Sequence, residues 1–130
     1  MLLVKTKIGP STIDGIGCFA DQFIPEGTII WKYVEGFDQK VPPAALSRLA
    51  EPAKEMFLRY SYLSRKGNFY VLCFDNARYF NHSFKPNVGA LNGSATEEDQ
   101  DIASRDIHPG EELTCDYSSF EADFDPERYK

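Results

Sequence analysis

Arg78-Tyr79-Phe80-Asn81-His82-Ser83-Phe84-Lys85-Pro86-Asn87 and Gly110-Glu111-Glu112-Leu113-Thr114-Cys115-Asp116-Tyr117 are the stretches whose reading decides the fold. Taken alone, an Asn-His pair is commonly a capped turn or a satisfied buried polar pair. A tyrosine at the end of a strand is commonly packing. Two more places stand out, Asp14-Gly15-Ile16-Gly17 and Trp31-Lys32-Tyr33. A Gly-x-Gly lets backbone approach a ligand closely but also serves as a plain turn. Without a third glycine and a following helix it is not a Rossmann fingerprint.

Around these places the pattern is one of short strands. Leu2–Ile8 alternates apolar and polar residues and runs into the turn-forming Gly9-Pro10-Ser11. Ile16–Phe23 and Thr28–Val34 flank the turn Pro25-Glu26-Gly27. Tyr62–Leu63, Phe69–Phe74, Val88–Leu91, Asp101–Ser104 and Glu112–Thr114 are further short strands separated by turns. Pro42–Tyr60 is the one helical region, with Leu46, Leu49, Ala50, Ala53, Met56 and Phe57 at helical spacing and Pro52 expected to kink or divide it. No repeat or linker interrupts the chain, so residues 1–130 read as a single, mainly β domain with one helical insertion.

A chain of 130 residues, 42% hydrophobic and 14% aromatic, suffices for one core. No apolar run approaches the ~20 residues of a membrane helix. The opening Met1–Gly9 lacks the pattern of a secretory signal, so a cytoplasmic or nuclear protein is expected. A net charge of −6 works against direct nucleic-acid binding, which needs a basic face, and suits a cationic partner. Much of the acid lies in Thr96–Asp101 and the C-terminal tail, runs expected to be solvated. Cys18, Cys73 and Cys115 lie far apart in apolar segments and read as reduced core thiols. No metal site is expected, because only His82 and His108 could complete a ligand set and neither has finger-like spacing.

In order and spacing, the motifs resemble those of the SET-domain family from about Ile8 to Phe120. Gly15-Ile16-Gly17-Cys18-Phe19-Ala20 looks like the family's opening motif, and Ile24, Gly27, Ile30 and Tyr33 follow its next pattern. Arg78–Asn87 and Gly110–Tyr117 resemble its two most specific signatures. The resemblance implies a SET-domain (β-clip) fold: small curved sheets, a helical insertion and a C-terminal segment threaded beneath a preceding loop as a pseudoknot. It also implies S-adenosylmethionine as cofactor and a lysine-containing protein or peptide, with histones among the candidates, as substrate.

Carried over residue by residue, the resemblance makes Gly15, Ile16, Gly17, Tyr62, Asn81 and His82 cofactor-binding and Tyr33 and Tyr117 the catalytic tyrosines of the lysine channel. Arg78 is expected to brace its loop. Cys115 stands where Phe or Tyr often sets the number of methyl groups added, and no cysteine follows Tyr117, so the zinc-bound cap of many relatives is missing. Phe120, Phe124 and Tyr129 either close the channel in its place or anchor an apolar tail. Such a small domain could also borrow a second copy's surface as a homodimer. The amine must be neutral to attack, and free lysine titrates near ~10.4; an apolar channel and an adjacent sulfonium both lower that value. No dedicated general base is required on this reading, and positioning supplies most of the rate. The alternative is a non-catalytic SET-fold module that binds peptides.

Overall fold

Thr6–Pro10 (β1) and Ile16–Ala20 (β2) pair antiparallel, with Gly9 opposite Gly17 and Pro10 opposite Ile16. The turn between them falls at residues 11–15. There Ser11 Oγ accepts from the Ile13 amide at 2.9 Å, and Gly15 takes a positive φ of 46° that few side chains tolerate. Gly9 and Pro10, expected to form the turn, instead end a strand, which proline can do at a sheet edge. These coordinates come from a computed structural model, which describes residues 1–91 and 98–130.

Pro52 acts as expected. Pro43–Arg48 forms a 3₁₀ turn, the chain extends at Leu49 and Ala50, and a new helix (α1) runs over Glu51–Tyr60 with Pro52 in its first turn, where no amide donor is needed. None of α1's residues is buried. It rests on the three-stranded sheet of Gln39–Val41 (β4), Ser61–Leu63 (β5) and Tyr70–Leu72 (β6), ordered β4-β6-β5, with Phe57 edge-on to Tyr70 at 5.8 Å.

The main sheet joins Ile29–Trp31 (β3), Asn81–His82 (β7), Val88–Leu91 (β8), Gln100–Ala103 (β9) and Thr114–Cys115 (β10) in the order β3-β9-β8-β10-β7. β10 pairs parallel with both β7 and β8, so it fills the slot between two strands joined only by residues 83–87. That link must cross β10, which is the threading implied by the resemblance. Asn87 pins the crossing: its Nδ2 donates to the Glu112 carbonyl at 2.8 Å and its Oδ1 accepts from the Thr114 amide at 2.9 Å. Ile24, Ile30, Val88, Ile107 and Leu113 fill the core beneath, together with Cys18 and Cys115. All three cysteines are free and buried, and burial pushes the Cys18 thiol up to about 12, so it stays protonated at neutral pH. No helix among the described residues is long and apolar enough to cross a membrane.

Candidate functional site

The threading brings four separate pieces of sequence to one polar knot. The Glu112 carboxylate accepts from Ser11 Oγ at 2.8 and 2.9 Å and from Asn81 Nδ2 at 2.8 Å. The same Asn81 nitrogen lies 3.0 Å from the Asp14 carbonyl and 3.3 Å from the Ile16 carbonyl, so one amide group ties β7 to the glycine turn. Gly17 is needed for closeness here: a Cβ on it would stand 2.3 Å from Glu112 Oε1. At Gly15 a Cβ would stand 2.7 Å from Arg59 Nη2, and Arg59 itself pairs with Asp14 at 3.7 Å. Gly15, Ile16, Gly17 and Asn81 therefore form one cradle, with a guanidinium from α1 at its side.

Arg59 also lines a cavity of about 310 Å³ on the core face of the main sheet, so cradle and cavity share a wall. Tyr62 and Tyr117 line the cavity, and Phe120 lies edge-on to both, at 4.8 and 5.6 Å. The Tyr117 hydroxyl donates to the Phe80 carbonyl, and burial pushes its ionisation far above the usual phenol range. The Tyr62 hydroxyl donates to Glu98 Oε2 at 2.8 Å, and its phenol is raised by burial and by that carboxylate. Ser64 Oγ donates to the other Glu98 oxygen at 2.6 Å. Cys115 forms part of the wall, where the size of a side chain limits the space.

His82 faces elsewhere. Its Nδ1 accepts from the Tyr117 amide at 3.1 Å, which requires a neutral ring protonated at Nε2. Burial lowers its pKa, with Asp116 opposing, which agrees with that assignment. Phe84, Phe124 and Tyr129 surround the ring at 4.4, 5.3 and 4.6 Å, and Nε2 is buried without a hydrogen-bond partner among the described residues. The tail thus divides between both expected roles: Phe120 closes the cavity, whereas Phe124 and Tyr129 cover His82.

Tyr33 is not brought to the cavity. Its hydroxyl donates to the Asp38 carbonyl at 3.1 Å, and Lys40 Nζ sits over its ring at 4.6 Å. Arg78 braces its loop as expected, donating from Nε to the Cys73 carbonyl at 3.0 Å. The acidic run is not simply solvated: Glu98 is buried and Asp101 lines the cavity, although Thr96 and Glu97 lie outside the described residues. Sequence reasoning missed Glu112 as the hub, Arg59 as the shared wall and Asp101 as a cavity residue. For Glu112 the signal was its place inside the Gly110–Tyr117 motif.

The donor set suits S-adenosylmethionine. Arg59 matches a carboxylate, Gly15 and Gly17 let Arg59 and Glu112 close on the glycine turn, and the unpartnered Nε2 of His82 sits among aromatic rings that suit a flat heterocycle. Residues 15–118 match the SET domain family. The chain therefore belongs to that family, whose members are generally methyltransferases that use S-adenosylmethionine. Among solved structures it is similar to a candidate histone methyltransferase from Plasmodium falciparum, with a TM-score of 0.58 and 21% identity over 89% of this chain and 95% of that one. That likeness concerns the fold. No curated protein sequence gives a significant match.

Proposed function

We propose that this protein transfers a methyl group from S-adenosylmethionine to the ε-amine of a lysine in a protein substrate, with histones the first basic proteins to test. The observation that carries the reading is the shared wall: a cavity lined by Tyr62, Tyr117 and Phe120 opens beside a glycine and asparagine cradle flanked by Arg59. The fold likeness to a candidate histone methyltransferase supports it.

Bound in the cradle, the cofactor would supply an electrophilic methyl group on a positively charged sulfur. The chain's own residues do the rest. Arg59, which pairs with Asp14, would hold the cofactor's carboxylate, and Asn81 fixes the glycine turn beside it. Tyr62, Tyr117 and Phe120 exclude water and so disfavour the charged ammonium over the neutral amine. With its proton committed to the Phe80 carbonyl, the Tyr117 oxygen can accept an N–H from the amine and aim its lone pair. Holding the reacting atoms in line is worth roughly 7–11 kcal/mol in well-oriented reactions.

The test is incubation with methyl-labelled cofactor, core histones and total cell protein, followed by mapping of the modified residue. Label on a lysine is expected. Cofactor binding with no transfer to any basic protein would instead favour a peptide-binding module.

A further inference from the structure

The cavity contains a carboxylate that the mechanism above does not use. Asp101 on β9 stands directly opposite Trp31 on β3 and Ala90 on β8, so the three side chains form a row across one face of the sheet, and all three line the cavity. Trp31 is 3% exposed, and its Nε1 has no hydrogen-bond partner among the described residues. A buried donor and a neighbouring carboxylate are thus both turned toward the space that Tyr117 faces. Leaving the buried indole N–H unpaired is costly, so a site of this kind is built for something that enters it.

We propose that Asp101 is the proton acceptor for the incoming lysine, taking a proton from the ε-ammonium inside the cavity before methyl transfer; this rests on the methyltransferase reading. In that step one N–H bond breaks and an O–H bond forms on the carboxylate, leaving a neutral amine and a neutral carboxyl. The amine lone pair then forms the N–CH₃ bond as the CH₃–S bond breaks, with its electron pair passing to sulfur. The proton leaves Asp101 for water once the methylated product departs.

The electrostatic surroundings suit this role. Burial pushes Asp101 up to about 7; Asp99 and Glu98 add to the rise, and the Met1 ammonium opposes it. Asp99 is itself paired with Lys66 at 3.2 Å, and Glu98 is held by Tyr62 and Ser64. Cys73, Cys115 and Tyr62 are the other titratable groups that feel Asp101, and all three are held protonated by burial. Glu121 lines the same cavity and is also pushed up to about 7 by burial, so Asp101 is singled out by its register opposite Trp31, while its own value lies near neutrality, where an acceptor is most effective. Carrying no hydrogen bond from a described residue, it is also positioned to receive one.

The test measures single-turnover methyl transfer to core histones from pH 6 to 9 for wild type, Asp101→Asn and Asp101→Glu. ¹³C NMR of aspartate carboxyls on the same proteins gives a readout independent of turnover. Wild type should show a carboxyl titrating near pH 7 that is absent from Asp101→Asn, and a rate that rises through the same pH and then levels. Asp101→Asn should lose ~10²-fold at pH 7 and narrow the gap toward pH 9 as free amine becomes less scarce. Asp101→Glu should keep the neutral-pH limb. An active wild type whose pH profile superimposes on that of Asp101→Asn overturns the assignment alone. A wild type that binds cofactor but moves no methyl at any pH overturns the methyltransferase reading and the assignment together.

Discussion

Around Glu112 the polar side chains find protein partners, whereas on the cavity wall the Trp31 indole N–H has none among the described residues and Asp101 carries no hydrogen bond from them. Ser11, Asn81 and the Asp14 and Ile16 carbonyls close on one another and fix where the glycine turn lies relative to the threaded strand. In the cavity, a buried indole N–H and a carboxylate face open space instead. The contrast separates two uses of buried polarity. The first holds a ligand platform in register, and the second leaves unsatisfied groups where a substrate must complete them.

If the comparison is right, the largest loss comes from breaking the satisfied side. Glu112→Ala removes the acceptor shared by Ser11 and Asn81 and should cost about 3 kcal/mol of stability, together with cofactor affinity, because hydrogen bonds to a charged group are worth more than neutral ones. Urea unfolding and calorimetric titration with S-adenosylmethionine check both. A folded Glu112→Ala protein of unchanged stability and affinity would show that the knot positions nothing.

Much of this contrast was beyond the sequence, for a physical reason. Val88–Leu91 was legible at its observed bounds, and Pro52 divided the helical region as its missing amide donor requires. Local periodicity sufficed there. β7 was not legible, because Asn81–His82 is a strand only through parallel pairing with Thr114–Cys115, far along the chain. β4 escaped notice as well: Gln39-Lys40-Val41 is short and largely exposed, and only its pairing with β6 makes it a strand. Asp101 shared its acidic run with solvated-looking neighbours, and only its register opposite Trp31 and Ala90 turns it inward. Tyr33 shows the opposite failure, since motif position promised a channel residue and the fold directs its hydroxyl to the Asp38 carbonyl.

The unsatisfied side should respond to pH in the reverse sense to an ordinary salt-bridged acid. With its folded pKa raised to about 7, Asp101 binds its proton more tightly in the native state than when unfolded. Stability should therefore fall as pH rises from about 4 to about 7 and level above that range. Asp101→Asn should reduce this slope, raising stability at pH 8 by on the order of 1–2 kcal/mol relative to wild type while changing little near pH 4. Glu121, also near 7 through burial, keeps part of the slope in the variant. Thermal melts across this range measure it, and parallel slopes in the two proteins would remove Asp101 from the buried charges.

The smallest expected effect is none. No group of His, Cys, Asp or Glu among the described residues is arranged to hold a metal ion. Calorimetric binding of S-adenosylmethionine should then be unchanged by prior treatment with a zinc chelator. Lost binding would reveal a metal coupled to folding and would make the hydrogen-bonded knot secondary.

Tyr117 decides the central claim, because its hydroxyl has both a packing partner and a proposed chemical task. Tyr117→Phe keeps the ring against His82, Phe120 and Tyr129 and removes only that hydroxyl. Single-turnover methyl transfer, normalised to folded protein by a thermal melt and to cofactor occupancy by titration, should fall at least ~10-fold, about 1.4 kcal/mol of transition-state stabilisation. A folded, cofactor-bound Tyr117→Phe protein that transfers methyl groups at the wild-type rate would contradict the account.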